Sequence, residues 1–319
     1  MNLMQLYRVA KLYYLDGLNQ EEIGRRENLS RTQISRLLEQ SRQQGIVRIE
    51  VLLPDQLTQG RLSELLAQEL GLQSVVIAPV EQSELTGSAI ADAIAAAAAG
   101  FLPAELKNCG IVGVGWGRTM YQTAVRMPYS TYDSGTLFVP LVGASGTSKP
   151  YLQVNTILDR LAQKQRGRSC FSSMQAFRER EIPLTQLEVQ RIHTMQRYWS
   201  ELDVAVFGLG GRLQSSSFMS EEVDEDYIQR IGQSAVLGDI LAQFFFADGT
   251  VLDLRDKYRQ IAFSLERLQQ VPKTICLAGG EEKVDAIYAA AKAGFLKILV
   301  TDSVTAQRLY EKIRRQMTP

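Results

Sequence analysis

One histidine, three scattered cysteines and a formal charge of zero in 319 residues exclude several chemistries before any motif is sought. His193 lies in a segment of helical character with no matched nucleophile or metal partner, so triad and zinc mechanisms have no support. Cys109, Cys170 and Cys276 are odd in number and far apart, which gives neither a disulfide framework nor a ligand pattern. A reducing cytoplasm is the simplest setting, and neither cofactor nor metal is expected. Balanced charge (35 Lys and Arg against 35 Asp and Glu) argues against a protein that coats nucleic acid nonspecifically. Long hydrophobic runs are lacking too: the small-apolar stretch 89–102 contains Asp92 and is too short to span a bilayer, so it reads as an Ala-rich helix against a sheet. No signal peptide is expected, because residues 1–6 lead straight into a polar amphipathic helix. Neither a Gly-x-Ser-x-Gly elbow nor a Walker lysine loop occurs.

What is present begins near the N-terminus. Leu6, Val9, Ala10 and Tyr13 have helical spacing, ending before Asp16-Gly17. Asn19 with Glu22 forms a capping box and Leu18 with Ile23 a hydrophobic staple; Ser30 with Gln33 and Leu29 with Ile34 repeat both devices one helix later. Ile34, Leu37 and Leu38 make one buried stripe, leaving Arg31, Thr32, Gln33, Ser35 and Arg36 on the open face near the helix start. Two tandem capped helices of this kind make a helix-turn-helix, whose second helix reads the major groove. Gln33 suits a bidentate contact to adenine and Arg36 one to guanine, while Arg31, Thr32 and Ser35 suit phosphates or single bases. Gly45 closes the helix, and the β-run 46–52 reads as a wing. Arg25, Arg26, Arg31, Arg36, Arg42 and Arg48 are diluted by Glu21, Glu22, Glu27 and Glu39, so operator affinity should depend on several copies of the head acting together.

The domain boundaries expected are a DNA-binding domain over 1–53, a linker over 54–60 and a large domain over 61–319. In the large domain apolar strands end in glycine loops and lead into helices, around Val75-Val76-Ile77, Ile111-Val112-Gly113-Val114, Leu137-Phe138-Val139, Val204-Ala205-Val206-Phe207, Ile275-Cys276-Leu277 and Ile298-Leu299-Val300. That alternation describes a mostly parallel, Rossmann-like α/β sheet. The charged stretch 160–199 reads as an irregular excursion. The loop Gly115-Trp116-Gly117-Arg118-Thr119 lies where a strand ends and a helix starts. From the residues alone it serves equally as a tight turn or as an oxyanion site. It is not the dinucleotide fingerprint, since the sixth position from Gly113 is Arg118.

Tyr13-Tyr14, Gln20-Glu21-Glu22-Ile23-Gly24, the recognition segment and Gly45-Ile46-Val47 together resemble the N-terminal domain of SorC-type sugar-operon regulators. The later stretches Ile111-Val112-Gly113-Val114-Gly115-Trp116-Gly117-Arg118-Thr119-Met120, Gln153-Val154-Asn155-Thr156, Gly238-Asp239-Ile240, Gly279-Gly280-Glu281-Glu282-Lys283 and Leu299-Val300-Thr301-Asp302 resemble them as well, in order along nearly the whole chain. The resemblance implies a cytoplasmic transcription regulator, usually a homotetramer, that binds operator DNA. Its large domain would be similar to sugar-phosphate isomerase and deaminase folds, with a phosphorylated sugar as effector and no membrane partner. It raises Gly115, Gly117, Arg118 and Thr119 to a phosphate site and carries an effector role to Lys283. Gly280, Glu281, Asp239 and Gln153 join them, with Asp239 accepting from sugar hydroxyls; a bland helix N-terminal carboxylate is the other reading of Asp239. Gly208-Leu209-Gly210-Gly211 would line the same crevice. One departure concerns a lysine that some members place in the third strand for a Schiff base: here Val142 gives no amine and Lys149 is in a loop, so binding is expected to be noncovalent. The alternative is a sugar-phosphate isomerase with an N-terminal extension, for which Asp239 and Glu281 are the candidate bases. The segments 153–157 and 197–203 look nearest to sorbose or sorbitol regulators.

Overall fold

The structure is a computed structural model that describes residues 3–47, 54–80, 86–146, 149, 151, 153–211 and 222–317. Two compact units divide the chain, Met1–Leu57 and Thr58–Pro319.

In the first unit α1 (Leu3–Tyr14), α2 (Gln20–Glu27) and α3 (Arg31–Gln43) enclose Val9, Leu12, Ile23, Ile34 and Leu38, with Leu18, Leu29 and Leu37 packed around them. Leu12, rather than the expected Tyr13, completes the buried face of α1; Tyr13 is 36% exposed. Gly45 follows α3 with φ +72°, as a C′ glycine should. Ile46 and Val47 sit in a bend, Val47 N–H donating to the Ser41 carbonyl at 3.1 Å, and the remainder of the expected wing, 48–52, lies outside the described residues.

The stretch 54–60, expected as a linker, opens α4 (Pro54–Leu70), and the division between the two units falls within it. Proline is compatible with a first helical position, where no intrahelical N–H bond is required. Further along, Leu66 and Leu70 are buried in the core of the second unit.

Seven strands of the second unit form a parallel sheet: β1 (Ser74–Ala78), β2 (Ile111–Val114), β3 (Leu137–Pro140), β4 (Arg168–Ser169), β6 (Val204–Gly210), β10 (Lys273–Leu277) and β11 (Ile298–Asp302), in the spatial order β1-β11-β10-β6-β2-β3-β4. Strand β11 is buried at all five positions, as expected of a parallel strand covered on both faces. A hairpin of β7 (Gly238–Ile240) and β8 (Gln243–Phe245) runs antiparallel off the end of β6, while β5 (Phe177–Glu179) and β9 (Tyr258–Gln260) make a separate ribbon. From β2 the chain moves outward to β3 and β4. It then returns to β6 on the other side of β2 and continues to β10 and β11. The sheet order therefore reverses between β2 and β6, the kind of point at which open α/β sheets form a crevice.

Helix α5 (Gly87–Glu105) corrects the short-stretch reading. At 19 residues it is long and apolar enough by length and composition to cross a membrane, because neither Gly100 nor Pro103 in its final turn ends it. Its small residues serve packing: Ala95, Ala98 and Ala99 are buried with Ile94 and Leu102, and Asp92 pairs with Arg126 at 3.2 Å. This is a core helix. The stretch 160–199 is also more regular than expected. It holds the end of α7 (Val154–Gln165), edge strand β4, β5, and the 15-residue α8 (Gln186–Ser200), which opens on a Thr185–Glu188 capping box. Trp199 anchors that helix by donating from Nε1 to the Pro140 carbonyl at 2.8 Å, and His193 on it is exposed. Further helices among the described residues are α6 (Arg118–Arg126), α9 (Glu225–Gln233), α10 (Leu265–Leu268), α11 (Val284–Lys292) and α12 (Ser303–Met317).

Candidate DNA-reading surface and effector crevice

Both capping boxes close as the sequence implies. Asn19 Oδ1 accepts from the N–H groups of Glu21 (3.1 Å) and Glu22 (3.0 Å), and Asn19 N–H donates to Glu22 Oε2 at 2.8 Å. Ser30 Oγ accepts from Gln33 N–H at 3.2 Å, and Ser30 N–H donates to Gln33 Oε1 at 2.8 Å. The turn between them depends on one backbone conformation. Asn28 takes the left-handed conformation (φ 58°), and Leu29 N–H then reaches the Gly24 carbonyl at 2.9 Å. A Cβ on Gly24 would lie 2.6 Å from the Leu29 carbonyl oxygen, so only glycine fits there.

Arg31, Thr32, Gln33, Ser35 and Arg36 are all exposed on one side of α3. One of them is less available than its residue type suggests. A bidentate adenine contact needs both ends of the glutamine amide, yet Gln33 Oε1 is already engaged by Ser30. With the cap closed, a bidentate adenine contact would have to use the second lone pair of Oε1, whereas the Nε2 end can meet a single acceptor without it.

The crevice of the second unit gathers three segments at the carboxyl ends of β2, β6 and β10. Gly115 continues β2 by donating its N–H to the Val206 carbonyl at 2.8 Å, and a Cβ on it would meet Leu241 Cδ2 at 2.9 Å. Gly117, with φ +121°, begins α6 (Arg118–Arg126) and donates to the Tyr151 carbonyl at 3.1 Å. The two glycine N–H groups are thus committed. What remains for an anion is the first turn of α6, residues 118–120, whose N-terminus no described side chain caps. Thr119 is partly exposed there, while exposed Arg118 lays its guanidinium 5.4 Å from the centroid of the Tyr151 ring.

Asp239 is not a helix N-terminal carboxylate. It stands in β7, paired with Gly210 at the end of β6. Burial pushes its carboxyl up to about 6, against a hydrogen bond from Ala242 N–H and the charge of Lys283, both of which pull it down. The two residues linking β7 to β8, Leu241 and Ala242, have φ of 53° and 60°, values that a two-residue hairpin of this type demands but that Leu and Ala rarely adopt. No turn signal in the sequence marks this hairpin.

Lys283 ends a short 3₁₀ turn, Glu281–Lys283, just before α11. Gly280 ahead of it (φ +111°) turns its N–H away from any ligand, donating to Thr305 Oγ1 at 2.7 Å and Asp302 Oδ2 at 3.2 Å. Glu281 is exposed and pairs with Arg308 at 3.2 Å. Gln153 precedes α7 and donates from Nε2 to the Ser145 carbonyl at 3.1 Å, bracing the loop that follows β3. Among the described residues no cluster of three potential metal ligands occurs.

A helix-turn-helix unit joined to a doubly wound unit with a crevice at its switch point defines a ligand-responsive DNA-binding regulator. Residues 56–311 match the family described as "Putative sugar-binding domain". Over 318 residues the chain is 28% identical to the sorbitol operon regulator of Klebsiella pneumoniae, covering 95% of this chain and 96% of that one. It is 31% identical over 315 residues to the transcriptional regulator LsrR of Enterobacter sp. (strain 638), covering 94% and 90%. The crystal structure of the full-length Klebsiella sorbitol regulator superposes with a TM-score of 0.73 at 27% identity, over 97% of this chain and 99% of that one. The chain belongs to this family of SorC-type transcriptional regulators with a sugar-binding domain. Its relatives are regulators rather than enzymes, and the isomerase alternative is not favoured.

Proposed function

We propose that the protein is a cytoplasmic homotetramer that binds the operator of a sugar-utilisation operon and is switched by noncovalent binding of a phosphorylated sugar or sugar alcohol. The observation that carries the phosphate is the uncapped N-terminus of α6 at the switch point, with a partly exposed Lys283 in the loop that follows β10 of the same sheet. In this reading the N–H groups of 118–120 and the Thr119 hydroxyl receive the phosphate, with Arg118 swinging off Tyr151 to pair with it. Lys283 adds charge, Asp239 and Gln153 order the sugar hydroxyls, Glu281 stays at the rim, and Gly115, Gly117 and Gly280 supply space. Val142 offers no amine, so an adduct surviving borohydride and denaturation would contradict noncovalent binding. Likeness to the sorbitol operon regulator supports a ketohexose or hexitol phosphate as the first effector to test.

Arg36 reads guanine, Gln33 contributes one amide end, and Arg31, Thr32 and Ser35 hold the backbone. Linked heads gain affinity through effective concentration. The effector acts by binding one arrangement of heads more tightly than another, since no other difference shifts such an equilibrium. Fluorescence anisotropy on an operator fragment, titrated with sugar phosphates, tests the scheme. Arg36→Ala should weaken operator binding by ~1–3 kcal/mol and relax preference at one base. Lys283→Ala should keep operator affinity and lose effector response. An unaltered response in Lys283→Ala removes that lysine from the pocket.

A further inference from the structure

Away from the crevice, the ribbon of β5 and β9 carries charges that regulation as proposed does not use. Its register sets Arg178 directly opposite Arg259, a like-charge pair that disfavours the ribbon unless each cation is answered. Arg178 is answered by Glu188 on α8. So are the neighbours: Arg255 bonds Asp253 at 2.9 and 2.8 Å, Arg230 pairs with Asp256 at 2.7 Å, and Lys257 pairs with Asp224. Neither Arg259 nor Arg180 forms an ion pair among the described residues, although the Arg180 charge helps to hold the Asp253 carboxyl down. Arg259 Nη1 is buried without any hydrogen bond, while the Arg180 guanidinium donates once, to the Arg255 carbonyl at 2.5 Å.

Both arginines line a cavity of about 410 Å³. The carboxylates in its wall are already committed, Asp253 to Arg255 and Glu266 to the Ser264 hydroxyl. Tyr227 and Tyr258, edge to face at 5.0 Å, give it an aromatic side. Arg259 itself is partly exposed, yet its Nη1 is held out of water without a partner, which is costly, and the planar fork of a guanidinium matches an oxyanion. A half-open hollow of this size suits a small molecule rather than a polymer. We infer that this cavity is a second ligand site, separate from the crevice, for a phosphoryl group held by Arg259 and covered by Arg180. It adjoins the strained turn from behind: Gln260 donates from Nε2 to the Ala242 carbonyl at 2.7 Å, and Ala242 N–H bonds Asp239.

Calorimetric titration of the full-length protein with inorganic phosphate, at fixed ionic strength in chloride, tests this site. Wild type should bind phosphate, and Arg259→Gln and Arg180→Gln should each weaken one binding component at least tenfold. Arg180 is exposed, so that variant stays informative if Arg259→Gln fails to fold. The same component should persist in Lys283→Ala. Loss of all phosphate binding in Lys283→Ala, with both arginine variants behaving as wild type, would overturn the inference and leave the crevice as the sole site. Loss only in the arginine variants would support it and count against the crevice phosphate. Absence of phosphate binding in every form would overturn it as well.

Discussion

The reading head and the crevice are built by opposite means. In the head each decisive contact is local: Asn19 with Glu22, Ser30 with Gln33, and Gly24 with Leu29 all lie within five residues. In the crevice Gly115, Asp239 and Lys283 come from distant parts of the chain and meet only because β2, β6 and β10 are neighbours and β7 folds back on β6. Local devices make a surface that single substitutions damage one increment at a time. A site assembled by sheet order depends instead on a few long-range ties.

The strongest tie is Asp302, fully buried at the end of β11. Its Oδ1 accepts from Val304 N–H (3.0 Å) and Thr305 N–H (2.9 Å), and its Oδ2 from Thr305 Oγ1 (2.6 Å) and Gly280 N–H (3.2 Å). Asp302→Ala leaves several buried donors unpaired and should cost the second unit about 3 kcal/mol in urea unfolding, together with the effector response. A loss below about 1 kcal/mol would show that the Gly280 loop is held by something else. Next in size, Gly24→Val forces a side chain onto the Leu29 carbonyl and should cost the head about 2 kcal/mol by overpacking. Operator binding should disappear while sugar-phosphate thermal shifts persist; their joint loss would mean that the units do not respond separately. Ser30→Ala removes one cap, for about 1 kcal/mol.

The smallest effect belongs to Asp239. With a folded value near 6 against an ordinary 3.8, the folded state keeps a proton that the unfolded chain has released between those pH values. Stability therefore falls as pH rises through that window, and above about 6 the full penalty is present. Asp239→Asn should flatten this slope, by about 1 kcal/mol after allowance for solvent at the crevice mouth. An unchanged slope in thermal melts between pH 4 and 7 would mean that another group titrates.

The same contrast explains what the sequence made legible. Caps, staples and strand periodicity are short-range signals, so the helix-turn-helix and the parallel sheet could be read directly, as could the glycine loops that end β2 and β10. The overlooked box Thr185–Glu188 was equally local; the charge around it hid α8. Missed on principle were features that a backbone adopts under tertiary compulsion: the left-handed Leu241-Ala242 turn, and the Gly280 N–H captured by Asp302 and Thr305. Residue types suggested that Gln33 was free for adenine and Glu281 for the pocket. The Ser30 partner of Gln33 was legible as a capping box, whereas Arg308 beside Glu281 is visible only in three dimensions.

The central claim is that a phosphorylated sugar in the crevice alters how the heads hold DNA. The most direct measurement is operator affinity of wild type and Lys283→Ala, each with and without hexitol and ketohexose phosphates and their unphosphorylated counterparts. The account predicts that at least one phosphorylated sugar changes wild-type affinity at least fivefold, the low end of ordinary allosteric coupling, with no change for its unphosphorylated form or in Lys283→Ala. Equal responses to phosphorylated and free sugars, or an intact response in Lys283→Ala, would contradict it.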